Sequence, residues 1–457
     1  MQQGQSAAPF APSRAAVSRP ILPTFLRPHR LVPLLCLGLA LTGCGRSEAP
    51  ARPTASASTP APAASAPAGA NAMYAPLPGR QPTAAEMSAL GRAMFFDPGL
   101  SASGKMACAN CHSPDHAYGP PNGLSVQLGG PAGHDSGLRA VPSLRYLQTA
   151  GSFSEHHHDN DGNDSEDAGP TGGRTWDGRA DSAHAQAAAP LLSPFEMANA
   201  SEADVAARLR RAPYADRFRA AFGPAALDDD RQAFRLAGLA LEVFQEEPKE
   251  FAPYDSKYDA VLRGHTRLSV QEARGLATFE DPNKGNCASC HISRITEDGA
   301  FPLFTDFGHI ALGVPRNAAL PANADPAFFD LGLCGPLRTD LKDHADYCGR
   351  FRTPSLRNVA TRQVFFHNGV FHTLEDALRF YGLRDTQPER LYPKDAQGRV
   401  QKFDDLPEAD RGNVNTEAPF GPRPGNRPVL SDGDIRDLVA FLHTLDDGWK
   451  PPAAAAR

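Results

Sequence analysis

Cys108-Ala109-Asn110-Cys111-His112 is the stretch on which the reading of this chain turns. Two cysteines three positions apart, followed at once by a histidine, are what covalent haem attachment requires. Each thiol adds across one vinyl group, the two-residue gap matches the vinyl spacing, and the histidine reaches the iron as proximal ligand. The pattern returns as Cys287-Ala288-Ser289-Cys290-His291. Structural zinc needs four converging thiolates or imidazoles and gives no reason for histidine to follow the second cysteine twice. The expected cofactors are two haem c, bound through Cys108, Cys111, Cys287 and Cys290, with His112 and His291 as metal ligands.

Outward from the two motifs, their flanks repeat as well. Thr83-Ala-Ala-Glu86 reads as a capping box, with Met87, Leu90 and Met94 on one helical face behind it. Ser269-Val-Gln-Glu272 opens a second such helix. Gly91-x-Ala-x-Phe95-x-Asp97-Pro98 aligns with Gly275-x-Ala-x-Phe279-x-Asp281-Pro282, so both helices stop at Asp-Pro shortly before a haem motif. An internal repeat of this kind implies two related units. Residues 234–245 form a mostly apolar helical run closed by Pro248, and residues 431–445 place Ile435, Leu438, Val439, Leu442 and Leu445 on one stripe. These are expected to close the two units by packing on the haem-bearing helices. Strand signals are sparse. The fold class expected is all-α: two cytochrome c-like domains, each wrapping one covalently attached haem, with long loops. Their bounds are placed at residues 79–250 and 251–450, the true junction falling between about 248 and 268.

A length of 457 residues suits two or three domains, and a net charge of −6 gives no basic footprint for nucleic acid. Arg27 and Arg30 precede an apolar run at 31–41 that is too short to span a bilayer and reads as the core of a secretory signal. It ends in Leu41-Thr42-Gly43-Cys44, which reads as a lipoprotein-type signal over residues 1–43 with Cys44 as the lipidated residue; an ordinary signal cut nearby is the alternative. Residues 44–78, rich in Ala, Pro and Ser, read as a tether. The expected location is the periplasm, with membrane contact only through such a lipid anchor. Cys36 lies in the signal, and Cys334 and Cys348 are left over: in an oxidising compartment they form a disulfide, or else they are two free buried thiols. A His/Asp-rich insertion at 155–170 is read either as a divalent-metal cluster or as a solvated acidic loop, and the second is favoured because no ligand geometry is fixed.

With the haem motifs placed, residues 80–447 resemble the bacterial dihaem cytochrome c peroxidases and their relative MauG. The matching segments are Leu90-Gly-Arg-Ala-Met-Phe-Phe-Asp-Pro98, Thr175-Trp-Asp-Gly-Arg-Ala180, Pro190-Leu-Leu-Ser-Pro-Phe-Glu-Met197, Thr353-Pro-Ser-Leu-Arg-Asn358 and His367-Asn-Gly369. The resemblance implies that the N-terminal haem, on His112, meets hydrogen peroxide and that the C-terminal haem, on His291, delivers electrons. It implies that Trp176 relays between them and that Gln186, Pro190 and Glu196 line the open face of the first. A carboxylate at Glu196 suits proton transfer between the two peroxide oxygens; Gln186 would orient peroxide and Pro190 would crowd the iron without ligating it. Without the family spacing these three read as a surface glutamine, a loop proline and a helix-capping glutamate, and Trp176 as packing.

Three positions depart from the common peroxidase pattern. The methionine that usually ligates the C-terminal haem is missing, because no methionine follows Met197; Tyr381 stands in its place, as a tyrosine does in MauG. Tyr381 is therefore expected as a metal ligand of the second haem, with a core position on the helix capped by Thr373 as the alternative reading. His134 is offset from the family's removable distal histidine, so no regulated ligand is expected at the first haem. Ala140 replaces the asparagine of the family's calcium site, which leaves Ca²⁺ as an optional ion. His367 is expected as a hydrogen-bonding core residue near the second haem. The leading function is a peroxidase reducing hydrogen peroxide with electrons from a small donor protein, a cytochrome c or a cupredoxin. The alternatives are a MauG-like enzyme oxidising side chains of a protein substrate, and a pure electron-transfer cytochrome.

Overall fold

The computed structural model describes residues 81–157 and 169–451; the expected signal and tether, and most of the 155–170 insertion, lie outside the described residues. Helix α1, Ala84–Phe95, begins where Thr83 and Glu86 cap each other: the Glu86 N–H donates to the Thr83 hydroxyl and the Thr83 N–H to the Glu86 carboxylate. This satisfies two donors that a helix start leaves orphaned. One turn, α2, Cys108–Cys111, carries the first haem motif. The first half continues through α3, Ala183–Leu192; α4, Glu202–Arg211; α5, Ala215–Phe222; and α6, Asp230–Gln245. Two short helices, α7 at Pro248–Phe251 and α8 at Lys257–Leu262, lead into α9, Val270–Glu280, which starts in a second capping box at Ser269 and Glu272. The second half then runs through α10, Leu374–Leu383, to α11, Asp432–Leu442, whose stripe continues into a 3₁₀ turn ending at Leu445. Strands among the described residues are two antiparallel pairs of two residues: β1, Leu128–Gly129, with β2, Asp135–Ser136, and β3, His309–Ile310, with β4, Phe351–Arg352.

The repeat read in the sequence is a repeat in space. Helix α1 crosses α6 at Gly91, where an added Cβ would stand 2.0 Å from the Ala240 carbonyl oxygen and 2.7 Å from the Phe244 Cβ. Helix α9 crosses α11 at Gly275, where a Cβ would stand 2.0 Å from the Asp437 oxygen and 2.7 Å from the Phe441 Cβ. Glycine is required at both because the backbones touch. One turn on, Phe95 packs edge-on against Phe244 at 5.4 Å, and Phe279 against Phe441 at 5.3 Å. Each such buried ring contributes on the order of 1.5–3 kcal/mol.

Two apolar cores grow from these crossings. The first gathers residues from Leu90 to Phe251, the second from Tyr258 to Leu445. Cys108 packs against the first and Cys287 against the second, so each haem motif borders its own core. Cys334 and Cys348 are disulfide-bonded, with Cα atoms 5.0 Å apart, in a small third cluster with Leu333, Leu341 and Tyr347. No helix among the described residues is long and apolar enough to cross a membrane.

Candidate functional site

Each haem motif opens onto a cavity, and the two motif histidines are held alike. His112 Nδ1 is 3.0 Å from the Tyr118 carbonyl oxygen, and His291 Nδ1 is 2.8 Å from that of Phe304. A carbonyl partner fixes the proton on Nδ1 and leaves the Nε2 lone pair for iron. Burial lowers the His112 pKa to about 4 against the opposing pull of the Tyr118 and Pro142 carbonyls, and burial lowers that of His291 too. Both imidazoles are thus neutral near pH 7, the form that ligates a metal. Cys108, Cys111, Cys287 and Cys290 are unpaired thiols. Free thiols, oriented imidazoles and a largely apolar wall fit two covalently held haems.

The N-terminal cavity brings together Cys108, Cys111, His112, Trp176, Gln186, Pro190 and Glu196. Helix α3 supplies Gln186 and Pro190, four residues apart and therefore on one face. Pro190 lies inside the helix rather than in a loop. Glu196 sits in the turn that follows: its N–H donates to the Ser193 carbonyl at 3.1 Å, and its carbonyl accepts from the Gly130 N–H at 2.8 Å. Gly129 gives this turn room, since a Cβ there would come within 2.1 Å of the Phe195 oxygen. The Glu196 carboxyl faces the cavity, where the surrounding protein raises its pKa above the usual carboxylate value, with Arg179 opposing. His134 is exposed in the β1–β2 connection and does not line this cavity.

The C-terminal cavity brings together Cys287, Cys290, His291, Tyr381 and His367, and Trp176 lines it as well. Tyr381, on α10, stacks on Phe420 at 5.6 Å. Burial raises its phenol pKa, so the free side chain is protonated. The helix is capped at Thr373 as expected. His367 is buried, stacked on Phe351 at 3.6 Å, with Nε2 3.5 Å from Asp405.

Trp176 is fixed by the turn around it. Its indole Nε1 donates to the Ala140 carbonyl at 2.7 Å, and its own carbonyl accepts from the Arg352 N–H of β4 at 2.8 Å. Thr175, at φ 72°, donates its hydroxyl to Asp177 at 2.6 Å. Although burial works the other way, Arg139 and Arg179 hold the Asp177 carboxyl down at about 2. Arg139 is clamped between Asp177, at 2.7 Å, and Asp330, at 2.7 and 2.8 Å. Among the described residues no group of three or more His, Cys, Asp or Glu side chains is placed to hold a metal ion. Calcium beside Ala140 would rest on backbone carbonyls and water, and the Ala140 carbonyl already accepts from the indole.

The sequence reading missed Tyr118, Arg139 and Phe304. Tyr118 has a local signal, six residues past His112; Arg139 and Phe304 act through partners that nothing local announces.

Two attachment motifs, each with an oriented histidine and its own cavity, define the class: a c-type dihaem protein with a tryptophan in both walls. The family model for di-haem cytochrome c peroxidase matches residues 85–267. The chain is 37% identical to the methylamine utilization protein MauG of Paracoccus denitrificans over 79% of this chain and 88% of that one. It is 27% identical to cytochrome c551 peroxidase of Pseudomonas aeruginosa, over 72% and 83% respectively. The crystal structure of the diheme peroxidase BthA from Burkholderia thailandensis superposes with a TM-score of 0.70 at 41% identity, covering 79% of this chain and 86% of that one. The chain belongs to the dihaem cytochrome c peroxidase and MauG family. It is an oxidoreductase of the cytochrome c peroxidase type and carries two haem c.

Proposed function

We propose that this protein reduces hydrogen peroxide to water at its N-terminal haem, with two electrons arriving through the C-terminal haem from a small cytochrome c or cupredoxin. The observation that carries this reading is the convergence of Gln186, Pro190 and Glu196 on the cavity of His112, with Trp176 shared between both cavities. When bound, the haems supply iron that meets peroxide at the first site and relays electrons at the second. Glu196 takes the proton from one peroxide oxygen and returns it to the other, so that water leaves. Its raised pKa favours the exchange, since a carboxyl that holds its proton more tightly also delivers it nearer neutral pH. The Gln186 amide orients the substrate, and Pro190 narrows the cavity and would offer no ligand to a bound iron. Trp176 passes electrons between the sites.

Tyr381, in the wall of the second cavity, would hold the second iron. The free phenol is protonated, so it would lose its proton there only against the charge of a bound metal. This ligand, the absence of methionine beyond Met197 and the 37% identity to MauG favour a second reading, oxidation of side chains on a partner protein. The two cores support two cytochrome c-like domains divided near residue 250, with Phe251 still packed in the first. The haem motifs and the apolar run at 31–41 support a periplasmic protein, with Cys44 as a lipid anchor.

Peroxide consumption with a reduced donor protein tests the leading reading. Rapid turnover supports it; no turnover, with residues modified in a co-purified partner, shifts the assignment to the second. Electron paramagnetic resonance of the resting diferric protein reports both axial ligand sets. Two fully ligated irons would leave only electron transfer.

A further inference from the structure

The two halves place the same residue against their proximal histidines, with one atom changed. Tyr118 and Phe304 each accept the histidine Nδ1–H through their carbonyl and each adopt φ 55°. Each ring packs in the corner made by the entry and closing helices: Tyr118 lies 5.6 Å from Phe95 and 6.5 Å from Phe244, Phe304 6.1 Å from Phe279 and 6.3 Å from Phe441. Only the N-terminal half carries a hydroxyl there. That hydroxyl is fully buried and donates to the Glu250 carboxylate. The other Glu250 oxygen meets Arg92 at 2.6 Å, and both of those side chains reach solvent, Glu250 being 33% exposed. Arg145 lies 6.0 Å from the Tyr118 ring, with its charge taken by Asp447 at 2.8 Å. A phenylalanine would fill this corner equally well, as Phe304 does, so packing alone does not account for the phenol and its carboxylate.

We propose that Tyr118, with Glu250 as its proton acceptor, is an oxidisable side chain that takes up an oxidising equivalent from the N-terminal haem when donor electrons run short. The inference rests on the reading that peroxide reacts at that haem. In the step, one electron leaves the phenol for the haem centre oxidised by peroxide. The O–H bond breaks, the proton moves to the Glu250 Oε2, and the products are a neutral phenoxyl radical and a carboxylic acid. An electron from the reduced donor, with the proton returned by Glu250, restores the phenol. Phe95 lines the N-terminal cavity and touches Tyr118 edge-on, so the ring lies one residue from the haem site. Glu250, at the surface, gives the proton a place to go without moving the ring.

The test uses the dihaem protein containing ring-deuterated tyrosine, mixed with peroxide without donor and frozen for electron paramagnetic resonance. The expected result is an organic radical signal, narrowed by deuteration and lost in Tyr118→Phe. In Glu250→Gln, which keeps a hydrogen-bond acceptor but not a base, radical formation should slow by about 10²-fold or more, within the range proton transfer commonly contributes. A packing role for Glu250 predicts no such kinetic change. If Tyr118→Phe does not take up haem, the Glu250→Gln kinetics decide. No tyrosyl signal in the wild type, the same signal in Tyr118→Phe, or unchanged kinetics in Glu250→Gln overturns the inference. If peroxide and reduced donor still turn over, the peroxidase reading survives that failure; if peroxide leaves the N-terminal haem spectrum unchanged, both fall together.

Discussion

The two haem-bearing halves agree on the side of the motif histidine and part company on the other wall. Gly91 and Gly275 sit at matching helix crossings, Phe95 and Phe279 pack on Phe244 and Phe441, and His112 and His291 are held by carbonyls of residues at φ 55°. Beyond the motifs, the first cavity receives Gln186 and Pro190 from α3 and Glu196 from the turn after it; the second receives Tyr381 from α10. The first wall offers proton-handling groups, the second a phenol. One scaffold therefore presents the attachment motif in the same way twice, and the segments between entry and closing helices line the two cavities differently.

The sharpest way to break this comparison is at Glu196. Glu196→Gln keeps the shape and removes the acid–base group, so steady-state peroxide reduction should fall by about 10²–10⁴-fold while both haem spectra stay as they are. Because the surrounding cavity wall raises its pKa, wild-type activity should decline as pH falls through a value above the ordinary carboxylate range, as the base form is lost. That limb should vanish in the variant. Rates within about threefold of wild type would remove Glu196 from the reaction.

Next comes the link between the halves. Trp176→Phe keeps most of the packing and is much harder to oxidise, so stopped-flow mixing with peroxide should confine oxidation to the N-terminal haem. Unchanged transfer from the second haem would reduce Trp176 to packing. Tyr381→Phe should alter only the second haem, which loses its low-spin ferric signal or recruits another ligand; an identical spectrum in the variant would return Tyr381 to the core. The smallest effect probes the shared part. Gly91→Ala and Gly275→Ala should each cost about 1–3 kcal/mol through overpacking, measured as denaturant midpoints of the holoprotein. Costs that differed widely would show that the two crossings are alike in geometry but not in energy.

What was legible in the chain was what short-range chemistry writes there. Cys-x-x-Cys-His needs its spacing, capping boxes need their third residue, and a helix stripe needs its period, so α1, α9 and α11 were expected before any fold was known. Trp176, Gln186, Pro190 and Glu196 are expected at the cavity through resemblance alone, since nothing local distinguishes a glutamate in a cavity wall from one capping a helix. Pro190 inside α3 runs against its usual exclusion from helices. What stayed hidden joins distant segments: Tyr118 with Glu250, 132 residues on, and Arg139 with Asp330, 191 residues on. The Cys334–Cys348 pairing was one of two open readings, and the structure joins them.

Trp176 stands in both cavity walls, tied to one half through Ala140 and to the other through Arg352. If that shared ring couples the two centres, as proposed, they form a single thermodynamic system. Whatever free energy the redox state of one imposes on the other is returned in equal measure, because linkage is reciprocal. Two waves in a potentiometric titration would then belong to the pair rather than to either half. If, as proposed, one site meets peroxide and the other supplies electrons, the reduction potentials would still not divide along the same line.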